Sequence, residues 1–327
     1  RLTSARQVNP EAYNALLIGR QKAELYTPQA FEIALEYFNL ALEKDPNYAE
    51  AHLAVAMNWL FRNQFGYTVP HEGGPKAKAA VLKALELDST LADVHTMLGW
   101  VNFLYEWDWA GAEIAWNRAI DLNPNHGDSV YAQFLWVMKR PEEAMAHMER
   151  TMQLDPLNED VQLQHAWMLQ SAGRDDEVIL QVRKLLRTSP QHPMLHGMLS
   201  VALWRKAIYE ESLAEMKASY SSIGDREVEE VLTQGYAQSG YRGAMRNAAD
   251  LLAARARKTY VSSIDIAMLY ALAGENDQAL DWLEKGLEER SPHMPYLDAY
   301  VEFEPLRSDP RFQDLLRKMN LPVEATE

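Results

Sequence analysis

Apolar residues recur every three or four positions along most of the chain, alternating with polar and charged ones. Ala112, Trp116 and Ala119 follow this spacing in one segment, as do Ala144 and Met148 in another. Such a spacing places apolar side chains on one face of a helix. With only 15 Gly and 15 Pro in 327 residues, the chain has too few turn residues for a β-rich fold. The pattern therefore predicts an all-α protein.

A longer period is superimposed on the helical one. Proline follows an apolar segment and a short polar step at Pro46, Pro124, Pro156 and Pro190, and Ser89 takes its place in a degenerate copy. The steps between these five positions are 43, 35, 32 and 34 residues. Proline stops a helix because it lacks the N–H group and clashes with the preceding turn. The chain is therefore predicted to be a series of repeats of about 34 residues.

Each period contains a further break. Gly173, Gly240 and Gly274 lie in short steps where glycine can adopt the left-handed conformation that ends a helix. Each repeat is thus predicted to be a pair of helices joined by a tight turn. The one long step contains a Gly- and Pro-rich insertion at residues 66–75, which we interpret as a loop between two helices.

Small and bulky residues occupy fixed places within the repeats. In two copies they are Ala34, Phe38 and Ala41, and Ala112, Trp116 and Ala119. This arrangement resembles the tetratricopeptide repeat (TPR) family, whose unit is a helix-turn-helix of 34 residues. The resemblance implies an all-α, right-handed α-solenoid of about eight such units. It would form one superhelix over residues 1–327, with repeats from about 13 to 290.

The last residues have the signals of a separate terminal helix. Pro310 lies at its first turn, and the basic residues Arg317 and Lys318 lie in its last turn. Because an uncovered repeat end would expose its apolar stacking face, we expect a helix within about 295–320 to cap the array.

Three segments of the chain resemble one group within the TPR family. The tail, together with Trp107-Asp108-Trp109 and Tyr260-Val261-Ser262, resembles the C-terminal TPR arrays of bacterial signalling proteins. These include winged-helix regulators, receptor-type Ser/Thr kinases and adenylate cyclases. Because the sequence begins at Arg1 rather than Met, we expect it to be part of a longer protein.

Charge and composition limit the partners. The chain has 32 Lys and Arg against 47 Asp and Glu, a formal net charge of −15, which disfavours binding to nucleic acid by this segment. No run approaches the roughly 18 apolar residues that span a bilayer, so membrane insertion of this segment is not expected. The absence of Cys excludes disulfides and thiolate catalysis. We expect a cytoplasmic location, although the parent chain could be tethered to a membrane.

The resemblance also implies a binding surface. In the TPR family the first helix of each pair lines a concave groove that binds an extended peptide or a helix. Its groove positions fall here on Leu53, Met57, Trp100, Phe103, Tyr131, Leu135, Trp167 and Trp204. Its second repeat positions place an acidic rim at Glu50, Asp93, Asp128 and Asp160. An amphipathic and basic protein segment would suit this surface, as would the parent protein's own effector domain or a second copy in a homodimer.

Other interpretations stay open. Trp100, Trp167 and Trp204 either line the groove or pack in the core, as Trp at helical spacing more often does. The insertion at 66–75 could instead close a pocket for a small molecule, or the array could be a self-assembly module.

Candidate catalytic and metal-binding patterns are weak. His192 and His196 have the four-residue spacing of a helical metal site, but His192 precedes a proline and no third ligand is evident. No nucleophile motif occurs. The sequence therefore predicts a non-enzymatic interaction scaffold without metal or cofactor.

Overall fold

A computed structural model describes residues 7–322 of the chain, and over this range every regular element is a helix. The all-α prediction is confirmed. Of these, residues 7–126 form one compact unit and residues 127–322 form another; they are called unit 1 and unit 2 and are described separately. The prediction of one continuous superhelix over 1–327 stays a prediction.

Unit 1 contains three helix pairs. Its helices are α1 (Pro10–Ala23), α2 (Pro28–Lys44), α3 (Ala49–Gln64), α4 (Pro70–Leu87), α5 (Ala92–Val101) and α6 (Trp109–Leu122). A short π-helix, Asn102–Glu106, extends α5. The pairs are α1 with α2, α3 with α4, and α5 with α6, and the two helices of each pair pack against each other.

Unit 2 contains five helix pairs and a terminal helix. Its helices are α7 (Ser129–Val137), α8 (Pro141–Leu154), α9 (Glu159–Ser171), α10 (Asp175–Leu185), α11 (Pro193–Arg205), α12 (Tyr209–Ser222), α13 (Arg226–Arg255), α14 (Ser263–Ala273), α15 (Asn276–Glu289) and α16 (Pro310–Lys318). Ser239 and Gly240 have non-helical backbone angles, so α13 is itself a helix pair joined at a kink. The two units together give the eight helix pairs that the repeats predict.

A left-handed residue marks every hairpin turn of unit 2. These residues are Lys139, Gly173, Ala207, Gly240 and Gly274, at spacings of 34, 34, 33 and 34 residues. At four of these turns the backbone N–H of the next residue donates to the carbonyl five positions before it, as Arg140 does to Leu135 and Arg174 to Leu169. Lys139 and Ala207 adopt φ values of 59° and 58° at a cost of about 1 kcal/mol each. Only three of these five turns were predicted from the sequence, because only three of them contain glycine.

The small and bulky repeat positions pack the two helices of a pair together. Phe38 and Trp116 are fully buried, and each ring lies against a glycine of the first helix. A Cβ atom on Gly19 would lie 2.4 Å from Phe38 Cε1, and one on Gly99 would lie 2.7 Å from Trp116 Cε2. Only glycine lets the ring approach this closely, and burying such a ring stabilises the pair by roughly 2 kcal/mol.

The interpretation of residues 66–75 as a loop is wrong for residues 70–75, six of the ten. Helix α4 begins at Pro70, where a missing N–H group costs nothing, and continues through Gly73, Gly74 and Pro75. The two glycines are buried because α4 packs closely on its neighbours. A Cβ atom on Gly73 would lie 2.2 Å from Asn63 Oδ1, and one on Gly74 would lie 2.1 Å from Tyr105 Cδ2. Here glycine serves close helix packing rather than a turn.

The predicted terminal helix is confirmed as α16. The Asp309 side chain accepts a hydrogen bond from the backbone N–H of Arg311 and so caps the helix. The Arg311 guanidinium donates to Glu284 Oε1 at 2.9 Å and to Asp281 Oδ1 at 2.6 Å, which ties α16 to α15. Phe312, Leu315 and Leu316 are buried on the last repeat.

Candidate functional site

Within each unit, the first helices of successive pairs pack directly on one another. In unit 1, α3 contacts both α1 and α5, and in unit 2, α9 contacts both α7 and α11. The side chains that these helices direct away from their second helices form an inner face. The candidate site of the sequence lies on these two inner faces.

The inner face of unit 1 carries partly exposed apolar side chains. Met57, Phe61 and Trp100 are each half-buried, and the rings of Phe61 and Trp100 meet edge to face with centroids 6.0 Å apart. Met57 and Trp100 pack on the same buried cluster, to which Leu53 belongs with 6% of its surface exposed. The face is therefore a continuous apolar surface over α3 and α5.

Phe103 lies in the core of unit 1. Its side chain has no exposed surface, and its ring packs edge to face against Trp109 and Trp116 at centroid distances of 6.0 Å each. A ring enclosed in this way cannot contact a partner on the inner face. The π-helix that carries Phe103 adds one residue to the turn, which changes the side-chain direction that regular repeat numbering predicts.

The predicted acidic rim is only partly exposed. Glu50 is half-buried, while the Asp93 side chain is 72% exposed and lies 3.6 Å from His126 Nδ1. Asp160 in unit 2 is also exposed. Asp128, in contrast, is buried and caps α7, accepting a hydrogen bond from the backbone N–H of Val130 at 2.9 Å. Its carboxylate stabilises a helix start and is not part of an exposed rim.

The inner face of unit 2 is covered by the chain itself. Residues 294–306, here called the plug, follow α15 as two short 3₁₀ segments, Met294–Tyr296 and Val301–Leu306. The Tyr296 ring packs edge to face on Trp167 with a centroid distance of 5.3 Å. Its hydroxyl donates to Gln133 Oε1 at 3.1 Å. These contacts join the last part of unit 2 to its first two repeats.

Little of the inner face of unit 2 is accessible, and the plug contacts it at Trp167. Tyr131 and Leu135 have 6% and 3% of their surface exposed, and Trp167 is half-buried beneath Tyr296. Of the predicted groove residues in unit 2, Trp204 is half-buried at the far end of α11. The groove that the sequence predicts here is already occupied.

The ion pairs between the plug and the inner face reverse the predicted arrangement of charge. The prediction was an acidic face that binds a basic segment. Lys139 pairs with Asp298 of the plug, and the Arg205 guanidinium donates to Glu304 Oε2 at 3.0 Å. The Arg307 guanidinium also lies 3.3 Å from Asp298 Oδ1. The inner face of unit 2 therefore offers cations to an acidic and aromatic segment, whereas an acidic rim would suit a basic one.

One carboxyl group of the plug is buried. Glu302 has 7% of its surface exposed, and loss of hydration raises the pKa of its carboxyl to about 7. The Arg205 guanidinium opposes this rise because it favours the charged form. The state of Glu302 thus depends on pH in the neutral range.

The plug was not predicted from the sequence. Its signal was a run rich in apolar and aromatic residues after the last repeat, including Met294, Tyr296, Leu297 and Phe303, all buried in the structure. This run lacks the three- and four-residue spacing of a helix, so its packing site could not be assigned from periodicity.

The described residues contain neither a metal-binding cluster nor a membrane-spanning helix. Among residues 7–322, no group of three or more His, Asp or Glu side chains is arranged to hold a metal ion. His196 hydrogen-bonds Glu215 Oε2 at 2.6 Å and the Pro190 carbonyl at 3.1 Å, so its ring is engaged in packing. Over the same range, no helix has the length and apolar character that crossing a membrane requires.

Comparison with known proteins gives distant similarities. No family model matches the chain. The transcriptional regulator HilA of Salmonella typhimurium is 24% identical over 197 residues, which are 59% of this chain and 35% of that protein. HilA of Salmonella paratyphi A matches to the same extent. The chain thus spans about a third of the length of these curated relatives.

Solved structures show similar helical arrays. Yeast Tom70 is 17% identical with a TM-score of 0.48, and the match covers 97% of this chain and 69% of that chain. A tetratricopeptide repeat protein from Parabacteroides merdae is 11% identical with a TM-score of 0.43, covering 95% of this chain and all of that chain. Independently of these likenesses, the helix pairs, the regular left-handed turns and the 34-residue period give this chain the fold of a tetratricopeptide repeat array.

Proposed function

We propose that this chain is a non-enzymatic docking scaffold and that a protein segment binds on the inner face of unit 1. The observation that carries the proposal is the difference between the two faces. Met57, Phe61 and Trp100 form a partly exposed apolar surface in unit 1, whereas the plug covers the corresponding surface in unit 2. Large aromatic side chains on such a surface supply most of the affinity of a docking site.

The charge around the unit 1 face defines the partner's chemistry. Asp93 is exposed beside the face, Glu50 is partly exposed, and the whole chain carries a net charge of −15. An amphipathic helix with apolar anchors and flanking Lys or Arg complements this surface. The acidic side chains would accelerate association and orient the helix, while Met57 and Trp100 would hold it.

The setting of this scaffold is a larger regulatory protein. The partial similarity to the transcriptional regulator HilA supports a role as the sensing or partner-docking region of a bacterial signalling or transcription-regulatory protein. The docked segment then belongs either to a separate protein or to the effector part of the same one.

A model peptide tests the proposal directly. Fluorescence anisotropy would measure binding of a labelled amphipathic helix made of Leu and Lys, with a Leu and Glu peptide of the same pattern as the comparison. We expect only the basic peptide to bind, and Trp100→Ala to weaken it more than tenfold, about 2 kcal/mol. Ile114→Ala is the matched control, because Ile114 is 70% exposed on α6.

Two results would contradict the proposal. Equal binding of the acidic peptide, or unchanged binding by a folded Trp100→Ala variant, would remove the role of the unit 1 face. Light scattering over a concentration series covers self-assembly: a dimer that dissociates in Trp100→Ala would assign the face to a second copy instead of a partner helix.

A further inference from the structure

Unit 2 contains a cleft that is separate from the unit 1 face. It has a volume of about 840 Å³ and lies between the hairpin turns of α11 to α15 and the end of the plug. Its walls include Trp204 and Tyr209 from one turn, Tyr241 and Arg242 from the next, and Glu304 from the plug. The volume is in the range of small-molecule sites, which are about 300–1,000 Å³.

Most of the charge in the cleft is internally compensated. The Arg205 guanidinium donates to Asp175 Oδ2 at 2.9 Å and to Glu304 Oε2 at 3.0 Å, so this cation already holds two carboxylates. Among the charged side chains of the cleft, two groups lack a partner within residues 7–322. They are the second oxygen of Asp175 and the guanidinium of Arg242.

The second oxygen of Asp175 is an unsatisfied acceptor. Asp175 Oδ1 is buried and has no hydrogen-bond partner within residues 7–322. Loss of hydration raises the pKa of this carboxyl, while the Arg205 guanidinium opposes the rise. A buried acceptor without a donor costs about 1–3 kcal/mol, so a ligand N–H or O–H group that reached it would recover that free energy.

Arg242 is an uncompensated cation. It lies at the start of the second half of α13, and its guanidinium carbon is 3.7 Å from the place of a Cβ atom on Gly274. Across the described part of the chain, no carboxylate pairs with it. Its neighbour one turn along the helix, Arg246, is paired with Glu275 at 3.0 Å. Arg242 is therefore free to bind an anion.

Aromatic side chains form the apolar part of the cleft. Trp204 is half-buried at its wall, and the rings of Tyr209 and Tyr241 lie with centroids 5.2 Å apart. Together these rings offer a flat surface to an apolar group of ligand size.

We propose that this cleft binds the carboxyl-terminal group of an α-amino acid or short peptide, with its carboxylate on Arg242, its N–H group on Asp175 and its side chain against Trp204. One cation and one acceptor without protein partners match a ligand that carries one anion and one hydrogen-bond donor. A polyanion such as a phosphate ester would meet the carboxylates of Asp175 and Glu304 without a second free cation. The inference does not depend on the unit 1 docking face.

Isothermal titration calorimetry with defined probes tests this site. L-Phenylalanine and the dipeptide glycyl-L-phenylalanine carry both groups; 2-phenylethylamine lacks the carboxylate and 3-phenylpropionate lacks the amine. We expect at least one of the first two probes to bind. The last two should bind at least tenfold more weakly than that probe. Binding of the dipeptide alone would assign the site to peptide termini, and binding of the free amino acid alone would assign it to metabolites.

Matched arginine variants connect the binding to the cleft. Arg242→Gln is expected to weaken the better probe at least tenfold, whereas Arg246→Gln on the same helix should leave it unchanged. Both residues are exposed, so circular dichroism melting should show both variants folded. No heat signal from either full probe at millimolar concentration, equal binding of all four probes, or unchanged affinity of Arg242→Gln would each overturn the proposal.

Discussion

The two inner faces are built from the same repeat but differ in how much of their surface is exposed. In unit 1, Met57 and Trp100 lie at groove positions and stay partly exposed. In unit 2, Tyr131, Leu135 and Trp167 lie at equivalent positions; Tyr131 and Leu135 are buried, and the plug packs on Trp167. Equivalent repeat positions therefore do not determine whether the face that they form is available. A segment outside the repeats decides availability.

The difference also reverses the expected electrostatics. Acidic side chains border the unit 1 face, whereas Lys139 and Arg205 pair with acidic residues of the plug in unit 2. A single groove of uniform acidic character, as the repeat numbering predicts, would not accept Asp298 and Glu304. The two faces of one array thus suit segments of opposite charge.

The largest expected effect distinguishes a buried plug from an open face. Phe303→Ala in the plug should lower the free energy of unfolding by about 3–5 kcal/mol, because the fully buried ring leaves a cavity. Met57→Ala on the unit 1 face should cost about 1 kcal/mol, since its side chain is only partly buried. Urea unfolding of both variants measures the difference. Similar small losses would mean that the plug is not a core element.

A pH series sharpens the same comparison. The pKa of Glu302 is about 7 in the folded chain against 4.5 ordinarily, so between these values the native carboxyl keeps a proton that the unfolded one has lost. Stability contributed by the plug is therefore greatest below about pH 4.5 and falls as pH rises, by roughly 3 kcal/mol in all. Glu302→Gln should lose this contribution to the pH dependence of stability. The free energy of unfolding would be measured at pH 5 and pH 8. If it changes by the same amount in the parent protein and in the variant, the carboxyl is not buried as described.

A glycine substitution tests the packing that supports the unit 1 face. Gly74→Ala places a methyl group 2.1 Å from the Tyr105 ring and should cost about 1–3 kcal/mol by overpacking. Thermal melting provides the measurement, with Ala79→Ser on the exposed side of α4 as the control. A loop at 66–75 would instead tolerate Gly74→Ala without loss.

The smallest expected effect concerns one hydrogen bond of the plug. Tyr296→Phe removes the hydroxyl that donates to Gln133 and should cost about 1 kcal/mol while keeping the ring on Trp167. A double-mutant cycle with Gln133→Ala measures this coupling by urea unfolding. Strictly additive losses would show that the hydroxyl does not connect the plug to α7.

Local physics made much of the fold predictable. Amphipathic spacing, proline after the second helix and glycine at three hairpins identified the helix pairs, and Pro310 with the basic last turn identified α16. Each of these signals acts within one or two helical turns, so neighbouring residues are sufficient to read it. The turns at Lys139 and Ala207 could not be predicted in this way, because neither residue type favours the left-handed conformation.

The candidate site was less predictable than the fold. Met57 and Trp100 could be placed on an inner face from repeat numbering, but the burial of Phe103 follows from a π-helix that the numbering does not contain. The burial of Asp128 follows from its role as a helix cap. Both differences from the prediction arise from local backbone geometry, which a repeat pattern does not describe.

Contacts between residues close in sequence specify the helix pairs and the end cap, so both could be predicted before the structure was known. Only the tertiary structure decided which inner face is covered. The hydrogen bond from Tyr296 to Gln133 joins residues 163 positions apart, and no periodic signal connects them. Packing of a non-repetitive segment against distant helices is decided by shape and burial over the whole unit.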